Sequence, residues 1–176
     1  MDIHLELPLT AEKVAGLHAG DTVKLSGTIY TARDAAHKRL IALLDANEAL
    51  PMELQDQVIY FAGPCPAPPG RPIGSAGPTT SGRMDAYSPR LISECGLRGM
   101  IGKGERNQAV VTAMCEHGAI YFAATGGAGA LIARSITAAE VIAFEDLGPE
   151  AIRKLTVKDF PVIVAIDDKG GNLYRR

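Results

Sequence analysis

Apolar and polar positions alternate through residues 22–30, where Val23, Leu25 and then Ile29 recur among polar neighbours. A period of two predicts a half-buried strand. The period then changes. Ala36, Leu40, Leu43 and Leu44 share one face at i, i+4, i+7 and i+8, which predicts a helix over about 32–46, broken by Pro51. Further strands are predicted at 3–7, 58–62, 98–101, 119–124, 136–144 and 161–166. Further helices are predicted after the N-cap candidate Thr10, at Ser88–Cys95 ending on Gly96, at 107–116 stopping at Gly118, after Gly129, and at 147–155. Turns fall at Gly20-Asp21 and at 168–171. Strands and helices interleaved in this way indicate a layered α/β or α+β domain. The chain has 176 residues and no internal repeat, which suits one domain with a sizeable core.

One window fits no element. Between Gly63 and Gly82 lie five Gly and six Pro, out of 11 Pro in the whole chain. Proline lacks the N–H and glycine carries an entropic cost, so the window is neither an ordinary helix nor a central strand. It runs directly into Thr79, Thr80, Ser81 and Arg83. Three hydroxyls, a guanidinium and free backbone N–H groups suit a small anion; the competing reading is a surface linker.

Composition narrows the choice of partner. Net charge is −2 with a pI near 6.1, so no global field attracts nucleic acid or anionic lipid. There is no Trp to stack on bases. The N-terminal residues lack the basic and apolar regions of a signal peptide, and no apolar run is long enough to span a bilayer. The expectation is a soluble cytoplasmic protein. Cys65, Cys95 and Cys115 are odd in number and show no C-x-x-C spacing, so neither a disulfide framework nor a zinc ribbon has local support. Free cysteine is more often a small buried hydrophobe, although three could converge on an iron–sulfur cluster from distant loops.

Candidate chemistry concentrates in three places. In Thr31-Ala-Arg33-Asp34-Ala-Ala-His37-Lys38-Arg39 a strand passes into a helix. Arg33 at the helix N-terminus opposes the macrodipole when alone, but acts together with the free N–H groups when a carboxylate binds. The plainer alternative is a surface Arg paired with an acid such as Asp34. His37 is a candidate base or ligand, or a structural histidine. The second place is Thr79 to Arg83. The third is Ile101-Gly102-Lys103-Gly104-Glu105, where glycines flanking Lys103 let the backbone approach a ligand. It is not a Walker A loop, because Gly104 stands where Ser or Thr would bind magnesium. Gly126-Gly127-Ala128-Gly129 lacks the full dinucleotide fingerprint and reads as a helix-packing run.

Taken together, the strings SGTIYTARDAAHKRL, GPTTSGRMDAY, IGKG, YFAATGGAGAL, EDLGPEAI and VKDFPVIVAIDDKGGNLY resemble the β-subunit of class I fumarases and L-tartrate dehydratases, from about Ala19 to Tyr174. The resemblance implies one catalytic domain over residues 1–176. It implies a swivelling β/β/α-type α/β domain, with a mixed sheet or barrel-like core flanked by helices. It implies an α-subunit whose three cysteines hold a 4Fe–4S cluster, with no metal on this chain. Some relatives fuse both parts, so a β-part alone implies a separate partner, in an α2β2 hetero-oligomer with room for β–β self-association. By the same resemblance Arg33, Arg83 and Lys103 hold the dicarboxylate and Thr79 is the catalytic base; Asp34, His37, Thr80 and Ser81, which lie beside these residues in the chain, are the supporting candidates. The reaction implied is reversible hydration of fumarate to L-malate. An L-tartrate or mesaconate-type substrate remains the alternative, and a non-catalytic dicarboxylate-binding or scaffold module, or a phosphate-binding enzyme, the different-class rivals.

Overall fold

The computed structural model describes residues 2–124 and 129–175. Its elements, in order, are β1 (Ile3–Glu6), α1 (Ala11–Ala15), β2 (Thr22–Thr31), α2 (Asp34–Asp45), β3 (Val58–Tyr60), a 3-10 helix (Ser81–Met84), α3 (Ser88–Cys95), β4 (Gly99–Gly102), α4 (Gln108–His117), β5 (Ile120–Ala124), α5 (Gly129–Ser135), β6 (Ile136–Ala143), a second 3-10 helix (Glu145–Glu150) and β7 (Ile152–Ile166). The sheet runs β1-β2-β3-β4-β5-β7-β6, and β2 also pairs with β7. That extra pairing closes β2, β3, β4, β5 and β7 into a five-stranded ring, with β1 and β6 appended. The expected barrel-like mixed core flanked by helices is what forms. Pairs β2–β3, β3–β4 and β4–β5 are parallel, whereas β7 runs antiparallel to both β2 and β5.

The short parallel strands are apolar at nearly every position because both faces are covered. Val58 and Tyr60 join one core with Ile101, Phe122, Leu155 and Val162, whereas Ile59 and Phe61 join another with Met100, Tyr121, Leu91 and Val110. Helices α2, α3 and α4 cover the second core, and α1 packs into the first. The Thr10 cap and the Gly96 and Gly118 stops work as read: the Thr10 side chain accepts from Lys13 N, and α3 and α4 end on left-handed Gly96 and Gly118; Asn107, read as helical, instead caps α4 by accepting from Val110 N.

The helix predicted at 147–155 does not form. The second 3-10 helix kinks at Gly148 (φ 59, ψ −122), Pro149 supplies no N–H, and from Ile152 the chain is strand. The strand predicted at 161–166 is therefore only the end of a 15-residue β7. On α2 the buried residues are Ala36, His37 and Leu40, while Leu43 and Leu44 are half-buried. Of the glycine run, residues 126–128 lie outside the described residues, and Gly129 opens α5. No helix among the described residues is long and apolar enough to cross a membrane.

Candidate functional site

Three parallel strands end side by side, with Thr31 of β2 opposite Tyr60 of β3, and Tyr60 opposite Ile101 of β4. The carboxyl edge of such a sheet is where α/β domains place ligands, because the chain leaves it in loops and helix N-termini. Here the exits are Arg33 after β2, Phe61 to Gly63 after β3, and Lys103 after β4. The end of the Gly/Pro window returns to the same edge. Thr79 N donates to Phe61 O at 2.8 Å, Thr80 forms a parallel bridge with Lys103, and Ser81 N donates to Lys103 O at 2.9 Å. The structure thus brings Arg33, Thr79, Thr80, Ser81 and Lys103 to one edge of the ring, and Arg83 follows one turn later.

Glycines set the tightness of this edge. A Cβ on Gly63 would lie 3.0 Å from Arg33 Cδ, 3.3 Å from Arg33 Nη1 and 3.2 Å from Pro149 O, so the Arg33 stem lies directly over Gly63. A Cβ on Gly102 would overlap Ser81 Oγ and stand 2.9 Å from Phe61 Cδ2. The Thr79–Ser81 strip seats on β4 only because that side chain is missing. Gly104 has φ +88, a conformation L side chains rarely adopt, and it turns the chain immediately after Lys103.

Among the described residues, neither Arg33 nor Lys103 has a carboxylate within 4.0 Å, whereas Arg39, Arg90, Arg98, Arg106, Lys169 and Arg175 are all paired. Arg33 is the N-cap of α2 without a side-chain cap bond, and its Nε is buried with no hydrogen-bond partner. A buried donor in that state calls for an acceptor. Arg83 approaches Asp34 at 3.8 Å, with both side chains more than a third exposed, a contact that holds neither firmly. Asp34 is the first residue of α2, and its Oδ1 is also buried without a partner.

The supporting residues divide. Thr79 is half-buried and Thr80 exposed. Ser81 is fully buried, with its Oγ 2.7 Å from the Tyr121 hydroxyl, so it is a structural hydroxyl that seats the loop. His37 is fully buried too. Burial drives its pKa down to about 4, against the opposing hydrogen bond to the Arg33 carbonyl. Nδ1–H donates to Arg33 O at 2.8 Å, and the ring packs on Phe61 and Tyr87. The ring is thereby tied to the Arg33 backbone out of solvent, while its Nε2 is buried without a hydrogen-bond partner.

Sequence reasoning missed two residues here. Glu150 accepts Ala35 N–H at 3.2 Å and so caps α2 from the second 3-10 helix, in place of any cap from Arg33. Arg106 is buried beneath the loops, paired through Nε with Asp85 at 2.6 Å. A Glu after Gly-Pro and an Arg in a polar stretch carry no local signal; only the fold gives them partners.

The three cysteines are free. Cys65 is exposed in the Gly/Pro window, Cys115 is exposed on α4, and Cys95 is half-buried at the end of α3. Desolvation pushes the half-buried Cys95 thiol up. Among the described residues no group of three or more His, Cys, Asp or Glu is placed to hold a metal ion.

A closed five-stranded mixed sheet flanked by helices, with cations and hydroxyls gathered at the ends of adjacent parallel strands, defines a barrel-like α/β domain with its candidate site at that edge. The chain belongs to the Fumarase C-terminus family, whose model matches residues 1–176. It is 44% identical over 155 residues to the anaerobic class I fumarate hydratase of Escherichia coli, covering 88% of this chain and 28% of that protein. It is 38% identical over 177 residues to the aerobic class I fumarate hydratase of Salmonella typhimurium, covering 100% and 30%. To a putative L(+)-tartrate dehydratase subunit beta of Methanocaldococcus jannaschii it is 39% identical over 171 residues, covering 94% and 88%. The chain therefore spans less than a third of these two fumarate hydratases, and most of the tartrate dehydratase subunit.

Proposed function

We propose that this chain is the carboxylate-binding and proton-transferring part of a hydro-lyase that reversibly hydrates a small unsaturated dicarboxylate, fumarate to L-malate. The observation that carries the reading is the placement of Arg33 and Lys103, both without an ion-pair partner among the described residues, beside Thr79 at the ends of adjacent strands. The names of the relatives support it.

Arg33 offers a planar fork and Lys103 a point charge to the carboxylates, with Arg83 closing from the exposed side. Removing a proton next to a carboxylate builds charge on that carboxylate as an aci-form, which the same cations stabilise. Thr79 Oγ1 takes the proton in dehydration and returns it in hydration. An unassisted hydroxyl is a poor base, and nearby cations favour its alkoxide by the logic that lowers any acid beside positive charge. The departing hydroxyl is expected to be bound by a 4Fe–4S cluster on a partner α-subunit, in a hetero-oligomer of α2β2 type. The printed name of the M. jannaschii relative, a subunit beta, supports such a partner.

That relative, matched over 88% of its length, also favours a second reading, L(+)-tartrate dehydration. Both substrates present two carboxylates to the same cations. The deciding experiment is anaerobic reconstitution with a cluster-bearing α-subunit and assay of fumarate, L-tartrate and mesaconate. Turnover of one diacid by the pair, with negligible activity from this chain alone, is the expected result. Robust turnover by the iron-free chain alone would remove the partner. Diacid binding without turnover in the reconstituted pair would make the chain a binding module.

A further inference from the structure

Arg106 has 1% of its surface exposed, yet it carries a full charge beneath the two loops that bear the candidate residues. Its Nε donates to Asp85 Oδ1 at 2.6 Å and its Nη2 to Ser88 Oγ at 2.8 Å, while Nη1 meets Met100 Sδ at 3.4 Å. The guanidinium carbon lies 5.1 Å from the Phe61 ring centroid and 4.9 Å from that of Tyr121. Asp85 uses its other oxygen to accept Asn107 N–H at 2.8 Å.

Each partner belongs to the edge of the ring. Asp85 and Ser88 continue the segment that carries Thr79 and Arg83. The Phe61 carbonyl receives Thr79 N–H. The Tyr121 hydroxyl lies 2.7 Å from both Gly104 O and Ser81 Oγ. It has a single proton, so it donates to the carbonyl and accepts from the serine. Tyr121 thereby ties the loop after Lys103 to the strip after Thr79, and Arg106 and Asp85 tie the same two segments a few residues further on. A buried ion pair contributes little net stability compared with apolar residues of the same size. Being neutral as a pair, it also adds little to the field that binds an anion. What it supplies is geometry: a planar fork and two ring faces allow one arrangement of two loops.

We infer that Arg106 is a positioning residue for the dicarboxylate chemistry, which through Asp85 and Tyr121 holds the segment of Thr79 and Arg83 at a fixed distance from Lys103. The inference rests on the function proposed above. A misplacement of about 1 Å in a catalytic group costs on the order of 10²-fold in rate, so the clamp is read in kcat more than in KM.

The test uses Arg106→Lys and Tyr121→Phe in the reconstituted pair. Arg106→Lys keeps the charge and loses the fork; Tyr121→Phe keeps the ring under Arg106 and removes one hydroxyl. Arg98→Lys is the control, because Arg98 clamps Asp56 and the carbonyls of His117 and Gly118 without contact to either loop. Two measurements are made on variants that retain the native circular dichroism spectrum: steady-state kinetics, and deuterium uptake of peptides covering 79–88 and 102–107. The expected result is a kcat loss of about 10- to 100-fold with a smaller change in KM, and faster exchange confined to those two peptides. Arg98→Lys should lower Tm and change neither. Wild-type kcat in both clamp variants, or acceleration spread evenly over the chain, overturns the inference. If the wild-type pair turns over no diacid while exchange still changes only in the two loops, the proposed function fails and the clamp stands.

Discussion

Gly63→Ala offers a direct probe of how Arg33 is aimed. The added Cβ would stand 3.0 Å from Arg33 Cδ and 3.2 Å from Pro149 O. Carbon–carbon contact is comfortable at about 3.5–4.0 Å, so something must move by roughly 0.5–1 Å. Pro149 O is main chain, and its neighbours Gly148 O and Ala151 O accept from Arg153 together with it, which ties that corner down. The Arg33 side chain has no hydrogen-bond or ion-pair partner among the described residues, so it yields first. Functional groups tolerate about 0.5 Å of displacement before their geometry is lost. Losing one charge-assisted hydrogen bond to a carboxylate costs about 1.5–3 kcal/mol, which corresponds to roughly 10- to 150-fold in affinity. Overpacking at a half-buried position against a movable side chain should cost no more than about 1 kcal/mol of stability. The assay is KM and kcat in the reconstituted pair, with a thermal melt of the chain alone. A raised KM with Tm changed by only a few degrees is expected. A large fall in Tm with normal KM would show that the methyl displaces the Pro149 corner instead, and that Arg33 is not the carboxylate ligand.

Thr79→Val removes the hydroxyl while keeping the shape, and should lower kcat by at least about 10²-fold while a dicarboxylate inhibitor still binds; greater damage from Thr80→Val would move the base elsewhere. Ser81→Ala should cost about 1 kcal/mol of stability through loss of the Tyr121 bond and so lower Tm, with a smaller effect on the rate; unchanged Tm would deny it the structural role. His37 has a folded pKa of about 4, below its unfolded value of 6.5, so the unfolded chain binds the extra proton between those pH values. Its contribution, at most about 3 kcal/mol, is therefore complete above pH ~6.5 and lost as pH falls toward 4. The groups facing the ring are Arg106, Asp34, Phe61 and Tyr87. Denaturant melts of His37→Asn, which keeps a donor for the Arg33 carbonyl, should show a shallower acid slope, and an unchanged slope would assign it to other groups. Replacing Cys65, Cys95 and Cys115 together by Ser should leave the iron content of the reconstituted pair intact; loss of cluster absorbance would place a ligand on this chain.

Local pattern carried much of the fold because the capping and stop signals are strong. Thr10, Gly96 and Gly118 each bound a helix where the sequence places the boundary. The failure at 147–155 has an identifiable source. Leu147, Ala151 and Leu155 are spaced four apart and imitate a helical stripe, while the pairing of Arg153 to Val157 with both β2 and β6 is invisible to a local window. Arg33, Thr79 and Lys103 could be picked out because each follows a strand or a glycine-rich turn, where open backbone and side-chain chemistry coincide. Arg106 and Glu150 could not, because an isolated charge in a polar stretch reads as a solvated one. Ser81 and His37 were visible as polar residues, but not as buried ones, since burial is decided by Tyr121, Phe61 and Tyr87 arriving from elsewhere in the chain.

The closure of the ring through β2 and β7 also has a kinetic meaning. Thr22 pairs with Ile163 and Thr31 with Arg153, so the seam joins segments more than a hundred residues apart. Every parallel pair in the sheet is likewise non-local, a topology that folds slowly because chain closure must precede the contacts that reward it. During synthesis the segments bearing Arg33, Thr79 and Lys103 leave the ribosome before the strand that shuts the sheet. Until β7 docks, the edge of β2 is open to wrong partners, which makes this interval the one in which a chaperone matters most. The edge that gathers Arg33, Thr79 and Lys103 is therefore completed late, when Ile152–Ile166 comes into place, rather than loop by loop.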